Sequence, residues 1–275
     1  MRRRDVIWVL AAAMVCTSPA HAQAQRHVIG FLSGFSEATP DTLAAFHQGL
    51  KETGFVEGKN LSIEFSCAGG HYDRLASLAA ELVAHNVSVI VAIDVLSSFA
   101  AKAATSTIPI VFATGADPVK LGLVESFNQH RSNVTGVTTL LGSVGPKQLE
   151  LLRELLPNSN KVALLLNPSN PNSKIDTPAI QAAADALGQH LKVLTTTTED
   201  ELEITFATMI RQRVDALVVK PDPFFISRRE RLVALAAHHA IPAIYPLRVF
   251  VDIGGLMSYG GSNLHTYRQL GTYAG

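Results

Sequence analysis

The sequence predicts an α/β protein with two similar lobes, each a parallel sheet wrapped by helices and joined to the other by hinge crossovers. Two observations favour this class. From Val28 onward, short apolar runs alternate with longer amphipathic runs, a pattern typical of strands and helices in parallel sheets. The same order of runs then returns in the second half of the chain. Because the repeat is a whole sheet long, it indicates two lobes rather than a solenoid of short units.

In the first half, the short runs are rich in β-branched residues, so we interpret them as strands buried on both faces. The longer runs have apolar residues at helical spacing, most clearly between Leu75 and Val83. In chain order the predicted elements are the strand Val28–Leu32, the helix Thr42–Thr53, the strand Leu61–Phe65, the helix Tyr72–His85, the strand Val87–Ile93, the helix Ser97–Thr105 and the strand Ile110–Ala113.

The second half repeats this order. Ile108-Pro109 leads into the closing strand of the first half, and Ile241-Pro242 leads in the same way into the closing strand of the second. The predicted elements are the strand Val162–Leu166, the helix Pro178–Leu187, the strand Val193–Thr196, the helix Glu199–Arg211, the strand Ala216–Val219, the helix Ile226–His238 and the strand Ala243–Tyr245.

Two segments are predicted to cross between the lobes, namely Asn133–Thr138 and a second crossover between Pro246 and Gly255. Two crossovers leave a cleft between the lobes and let them hinge there. We therefore expect a signal segment at residues 1–22, a first lobe at 27–137, a second lobe at 138–247 and a return to the first lobe at 248–275.

The N-terminus has the features of an export signal. Arg2-Arg3-Arg4 precedes the apolar run Val6–Val15, which is too short to span a bilayer, and Ala20-His21-Ala22 matches an A-x-A cleavage site. Cleavage before Gln23 is expected. The paired arginines also resemble a twin-arginine signal, so the Sec and twin-arginine routes both stay open. We expect a soluble periplasmic protein without a membrane anchor.

Removal of the signal also removes Cys16, so Cys67 is the remaining cysteine of the mature chain. An intramolecular disulfide is then impossible. An exported domain of this size can rely on its hydrophobic core instead, as bacterial periplasmic domains do.

Charge and motifs exclude several classes of function. Lys and Arg number 23, as do Asp and Glu, so no net positive charge is available to bind nucleic acid. The G-x-S-x-G, G-x-x-x-x-G-K-[ST] and G-x-G-x-x-G motifs do not occur. His238 and His239 are adjacent rather than at helical metal spacing. We therefore expect no catalysis, no cofactor and no metal.

Polar residues follow the predicted strands at their carboxyl ends, where open α/β sheets bind ligands. Hydroxyls and backbone N–H groups at a helix start suit a carboxylate, and Asp side chains suit an ammonium group. The two facing sets therefore suit a zwitterion or another small polar ligand. The candidate ligand-binding residues are Ser33, Asp94, Ser97, Ser98, Thr114, Gly115 and Asp117 in the first lobe, and Asn167, Asn170, Asn172, Ser173, Asp222 and Tyr245 in the second.

Each candidate also has a purely structural interpretation. Ser97 and Ser98 can cap a helix, and the stretches Thr114–Pro118, Asn170–Asn172 and Asp222-Pro223 can form turns. Phe224, Phe225 and Tyr245 can stack on an apolar ligand or belong to the core. Arg228, Arg229 and Arg231 begin a predicted helix, where a solvated face is expected.

Four segments carry a family resemblance: Ile29–Gly34, Gly54–Asn60, Gly136–Thr138 and Gly254–Gly260. Together they resemble the periplasmic substrate-binding component of an ABC transporter, in the group of tryptophan- and tyrosine-type binders with the type I periplasmic-binding fold. The resemblance implies a monomeric bilobal protein that binds a small molecule, amino-acid-like or a small carboxylate, and delivers it to an inner-membrane permease.

Members of this family usually continue for several dozen residues beyond the helix that starts here near Leu264. We therefore expect either that the C-terminus at Gly275 is incomplete or that the last hinge strand is lacking. Two other functions stay open at this stage, a secreted enzyme on the same scaffold and a sensory co-receptor, because a fold alone does not fix function. The export signal argues against the effector domain of a cytosolic regulator.

Overall fold

The computed structural model of the chain describes residues 27–36, 38–127, 132–139 and 144–275. Within these ranges the chain forms two parallel five-stranded sheets with helices on both faces. The predicted α/β class with two similar lobes is confirmed. The expected signal segment at residues 1–22 lies outside the described residues.

The first lobe alternates strands and helices as the apolar pattern predicts. Its sheet has the order β2-β1-β3-β4-β5, and every pair is parallel. The elements are β1 (His27–Ser33), α1 (Pro40–Glu52), β2 (Leu61–Cys67), a 3₁₀ turn (Tyr72–Arg74), α2 (Leu75–Ala84), β3 (Val89–Ala92), α3 (Val95–Ala104), β4 (Ile110–Thr114) and β5 (Val134–Thr138).

The second lobe repeats this topology, with the order β7-β6-β8-β9-β10 and parallel pairing throughout. Its elements are α4 (Gly145–Leu155), β6 (Lys161–Leu166), α5 (Pro171–Ala186), β7 (His190–Thr195), α6 (Glu199–Arg211), β8 (Ala216–Val219), α7 (Pro223–Ser227), α8 (Arg229–His238), β9 (Ala243–Tyr245), a 3₁₀ turn (Arg248–Phe250) and β10 (Met257–Ser258). The last helix is α9 (Asn263–Ala274).

The two halves exchange helices: the helix that follows the last strand of each sheet packs on the other lobe. α4 follows the last strand of the first sheet but packs in the second lobe, where Leu149 and Leu152 join the apolar core beside Ile180 of α5. α9 follows the last strand of the second sheet but packs on the first lobe, where Leu270 joins the core beside Phe46 of α1. Each sheet is therefore covered by a helix that comes from the end of the other.

Local sequence explains where several helices begin. Asp94 caps α3 and Thr198 caps α6, each in a capping box with the third residue of the helix. Asn170 caps α5, where Pro171 occupies the first turn and lacks only an N–H that would be unpaired there.

The structure differs from the predicted elements at several places. α4 (Gly145–Leu155) was not predicted, and the predicted helix Tyr72–His85 is a 3₁₀ turn followed by α2. α5 begins at Pro171, seven residues before the predicted start at Pro178, because Asn170 caps the helix there. The predicted helix Ile226–His238 is divided at Arg228 into α7 and α8. The predicted strand Val193–Thr196 is shifted to His190–Thr195.

The segments predicted as crossovers also have a different role. Asn133–Thr138 is extended as expected, but its residues from Val134 onward pair with β4 as the edge of the first sheet. Pro246–Gly255 stays with the second lobe, because Phe250 stacks on Tyr245 with ring centres 4.7 Å apart. The chain passes back to the first lobe after β10 instead. The lobe limits at 137 and 247 stay a prediction.

Across the described ranges, no helix has the length and apolarity needed to cross a membrane.

Candidate functional site

A cavity of about 730 Å³ lies between the two lobes, at the carboxyl ends of both sheets. The strand-end rule predicts this location for parallel sheets. Of the predicted ligand-binding residues, six line the cavity: Asp94, Thr114, Gly115, Asn170, Asn172 and Asp222.

The first-lobe wall is built on the ends of β3 and β4. Asp94 follows β3, and its Oδ1 accepts hydrogen bonds from the backbone N–H groups of Leu96 (3.0 Å) and Ser97 (2.9 Å). Its Oδ2 accepts from the N–H of Gly34 at 2.6 Å. Thr114 ends β4, and its Oγ1 accepts from the N–H of Ala116 at 3.2 Å. The hydrogen bonds therefore fix these polar groups in the wall.

Burial raises the pKa of the Asp94 carboxyl above its usual range, because desolvation disfavours the charged form. The hydrogen bonds from the backbone and from Ser97 act in the opposite direction. A carboxylate has about four acceptor positions, so the three N–H groups leave room for a ligand donor.

The second-lobe wall centres on Asp222, which follows β8 and caps α7. Its Oδ1 accepts from the N–H of Phe224 (2.9 Å), from Nδ2 of Asn167 (3.2 Å) and from the hydroxyl of Tyr72 (2.5 Å). Its Oδ2 accepts from Nδ2 of Asn170 at 2.8 Å. Burial raises the pKa of Asp222 to about 6, against the effect of these donors.

Asn172 differs from the other polar groups in this wall. Its backbone N–H donates to Oδ1 of Asn170 at 3.0 Å. Its side-chain oxygen is buried and accepts no hydrogen bond from the described residues. Because an unpaired buried acceptor costs free energy, Oδ1 of Asn172 is suited to a donor from a ligand.

The other predicted residues do not line the cavity. In the first lobe, Ser33 accepts from the N–H of Phe35, and the hydroxyls of Ser97 and Ser98 donate to the carbonyl of Asp94. Asp117 accepts from the N–H groups of its own turn, beginning with Val119 at 2.9 Å. These bonds match the capping and turn interpretations; ligand contact by these residues stays a prediction.

In the second lobe, three predicted residues support the wall from behind. Asn167 holds Asp222, and the hydroxyl of Ser173 donates to the carbonyl of Asn167 at 2.7 Å. Tyr245 is buried against Phe250, and burial raises the pKa of its phenol to about 12. The described residues include no group of three or more His, Cys, Asp or Glu placed to hold a metal.

Sequence reasoning missed two parts of the wall. The first is the connection from β1 to α1 together with the first turn of α1, where the strand-end rule had predicted only Ser33. It contributes Phe35, Ala38, Thr39, Asp41 and Thr42. The second is the stretch 246–264, which runs from the end of β9 through β10 to the start of α9 and provides much of the remaining lining, including Leu247, Ile253 and Tyr259. Its adjacent glycines, Gly260-Gly261, are its main local signal.

Two basic residues line the cavity, and both were missed as site residues. Arg248 has 88% of its side chain exposed and pairs with Asp252, with 3.2 Å between Nε and Oδ1. Arg229, predicted to lie on a solvated helix face, is half-buried, and its Nη1 donates to the carbonyl of Ile226 at 3.2 Å. A guanidinium has five N–H donors, so Arg229 retains capacity for an acidic ligand group.

The chain matches the ABC transporter substrate binding protein family over residues 28–275. It is 29% identical over 230 residues to a curated tyrosine-binding protein of Clostridioides difficile (strain R20291), covering 84% of this chain and 65% of that relative. The chain thus spans just under two thirds of that relative's length.

Two solved structures, both 27% identical, are also similar. A conserved domain protein of Vibrio cholerae O1 biovar El Tor aligns with a TM-score of 0.77, covering 90% of this chain and 81% of that chain. A substrate binding protein with adhesive properties from Clostridium difficile, in its ligand-free, open structure, aligns with a TM-score of 0.58, covering 90% and 83%. With the family match over residues 28–275, the conclusion is that the chain belongs to the family of ABC transporter substrate-binding proteins.

Proposed function

We propose that this protein captures an amino acid with an aromatic side chain between its two lobes and delivers it to an inner-membrane permease. The observation that carries the proposal is the cavity of about 730 Å³, whose walls hold charged groups of both signs beside apolar and aromatic side chains. A volume of this size is within the range of small-molecule sites.

The ammonium group of the ligand binds the second-lobe wall. Asp222 supplies a buried carboxylate, and Oδ1 of Asn172 supplies an acceptor that has no donor among the described residues. An ammonium group has three N–H donors, so it can satisfy both acceptors at once. Asp94, on the opposite wall, is the alternative carboxylate.

The carboxylate of the ligand binds Arg229 and the hydroxyl of Thr114. Arg229 is the more buried of the two basic residues in the cavity wall, and a guanidinium matches a carboxylate in a two-pronged geometry. The remaining acidic lining would repel a dicarboxylate that lacks an ammonium group. A zwitterion therefore fits the distribution of charge better.

The side chain of the ligand packs on the apolar part of the wall. This part includes Ile93 and the rings of Phe35, Tyr259 and Tyr267, and these rings can stack on an aromatic side chain. The similarity to the curated tyrosine-binding protein supports the same ligand class. The protein acts without catalysis, in the periplasm, after export by its N-terminal signal.

Isothermal titration calorimetry with L-tyrosine, L-tryptophan and L-phenylalanine tests the proposal. Tyramine and 3-(4-hydroxyphenyl)propionate, which lack the carboxylate and the ammonium group respectively, serve as matched probes. We expect the amino acids to bind at least ten times more tightly than either analogue, since each charge pair contributes about 1.4 kcal/mol or more. No binding by any of the three amino acids would overturn the proposed ligand class.

Two variants test the proposed site. Asn172→Ala removes the unpaired acceptor and is expected to weaken L-tyrosine binding about tenfold. Asp117→Asn is the matched control, because Asp117 accepts from its own turn and does not line the cavity. Wild-type affinity in the Asn172→Ala variant would remove Asn172 from the site.

A further inference from the structure

The two lobes also touch each other directly, beside the cavity. The contact joins residues 69–72, which follow β2 in the first lobe, to residues 222–228, which include α7 in the second. We call these two stretches the clasp. Neither Tyr72 nor Arg228, the two side chains that cross it, lines the cavity.

Tyr72 makes the more buried half of the clasp. Its hydroxyl donates to Oδ1 of Asp222 at 2.5 Å and accepts from the N–H of Phe224 at 3.4 Å. Its ring packs against the apolar cores of both lobes. Burial and the nearby Asp222 carboxylate raise the pKa of the phenol, so the hydroxyl keeps the proton that it donates.

Arg228 makes the other half, from the second lobe towards the first. Its Nη1 donates to the carbonyl of Gly69 at 2.7 Å, and its Nη2 lies 3.2 Å from Nε2 of His71. The guanidinium carbon is 4.8 Å from the ring centre of Phe224, and this cation–π contact helps to hold the guanidinium group in place.

The backbone of the first lobe is shaped for this approach. Gly70 has a φ of +82°, a conformation that residues with a Cβ rarely adopt. A Cβ on Gly70 would lie 2.6 Å from Nη1 of Arg228 and 3.1 Å from the Cα of Phe224. Glycine therefore serves both the local turn and the close contact between the lobes.

We propose that Tyr72 and Arg228 are positioning residues that stabilise the closed arrangement of the lobes and so set how long a ligand stays bound. The proposal rests on the proposed function. The clasp contacts exist only while the lobes are together, so they lower the free energy of the closed state. Neither side chain lines the cavity, but Tyr72 bonds to Asp222 of its wall, so Arg228→Ala, which leaves Asp222 and its partners in place, separates closure from ligand contact.

Removing the clasp therefore shifts the closing equilibrium, and the apparent affinity falls with the fraction of closed protein. Tyr72→Phe keeps the ring in both cores and removes the hydroxyl. Because a hydrogen bond to a charged group is lost, we expect an L-tyrosine Kd about tenfold higher, mostly through faster dissociation. Arg228→Ala should act in the same direction, and Arg228→Lys should restore part of the effect.

Arg231→Ala is the matched control. Arg231 lies on α8, three residues beyond Arg228, and pairs with Glu203 of the same lobe. The substitution therefore removes an arginine without changing any contact between the lobes. Circular dichroism and urea unfolding verify that each variant folds.

The experiment measures L-tyrosine affinity by calorimetry, dissociation by stopped-flow displacement and the radius of gyration by small-angle X-ray scattering. In the supporting result, Tyr72→Phe and Arg228→Ala speed dissociation about tenfold and enlarge the ligand-free protein, whereas Arg231→Ala does neither. Wild-type dissociation rates in folded clasp variants would overturn the proposed role of the clasp and leave the proposed function intact. If the wild type binds none of the aromatic amino acids, the proposed function fails. The role of the clasp is then tested by scattering alone. An unchanged radius of gyration in the Tyr72→Phe/Arg228→Ala double variant would overturn that role.

Discussion

The two halves of the molecule place an aspartate at the same topological position and use it differently. Asp94 follows β3 and Asp222 follows β8, the central strand of each sheet; both cap the next helix and are buried in the cavity wall. Both also accept from the loop after the first strand of their lobe, Asp94 from Gly34 and Asp222 from Asn167 and Asn170.

Their remaining partners differ. Asp94 accepts backbone N–H groups of its own lobe, so its surroundings do not depend on the position of the other lobe. Asp222 accepts mainly from side chains, and one of them, Tyr72, belongs to the opposite lobe. At equivalent strand ends, Asp94 is thus a fixed support within the first lobe, whereas Asp222 takes part in a contact between the lobes.

The exchanged helices differ in a similar way. α9 approaches α1 so closely that a Cβ on Gly271 would overlap the carbonyl oxygen of Phe46. α4 approaches α5 through Gly145, whose Cβ would instead overlap the end of the Ile180 side chain. A side chain can move aside more easily than a helix backbone, so the first lobe is the less tolerant half.

The largest expected effect is from Gly271→Ala. The added methyl group cannot be accommodated without separating α9 from α1, so we expect the free energy of unfolding to fall by about 4 kcal/mol. α9 also supplies Thr266 and Tyr267 to the cavity, and ligand binding should weaken as well. Urea denaturation measures the loss. Gly145→Ala is the control, with an expected loss of about 1 kcal/mol; equal losses would remove this difference between the halves.

The next effect is from Asp94→Ala. The substitution leaves three N–H groups in a buried site without their acceptor and removes the cap of α3, so we expect a loss of about 3 kcal/mol in unfolding free energy. Chemical denaturation measures it. Asp94→Asn, which keeps one acceptor oxygen, should lose less. If Asp94→Ala changed ligand affinity but not stability, the description of Asp94 as a fixed support would be wrong.

The smallest expected effect is the pH dependence due to Asp222. Its pKa is raised from 3.8 to about 6 in the folded protein, so folding favours the protonated form. The stability from this group is fully present below pH 3.8 and is lost as the pH rises through about 6. The full pKa difference corresponds to about 3 kcal/mol, of which on the order of 2 kcal/mol is lost between pH 4 and 7.5. Urea unfolding between pH 4 and 7.5 should show this decline in the wild type and a weaker one in Asp222→Asn; parallel curves would contradict it.

Much of the fold could be predicted because its signals are local. The apolar stripe of α2 and the bounds of α6 and β8 follow from residue spacing, and the repeated order of runs indicated two lobes. The start of α5 was misplaced because Pro178 resembles a first-turn proline, whereas the cap at Asn170 determines where the helix begins.

The candidate site was predictable only in part. The strand-end rule found Asp94, Thr114 and Asp222 because it depends on topology, which the repeat revealed. Residues 246–264 have no periodicity, so their place in the wall could not be read from the chain. Arg229 was interpreted as solvated because charged residues at a helix start usually face water, whereas the fold places it in the cavity wall.

The sequence by itself determined the class of fold, the two-lobed repeat and the polar strand ends. These depend on residues a few positions apart, and short-range spacing is visible in the chain. The tertiary structure alone decided that Tyr72 meets Asp222 across 150 positions and that Arg228 reaches the loop at Gly69. Such contacts depend on how two separately folded sheets are placed against each other, a relation that no local pattern encodes.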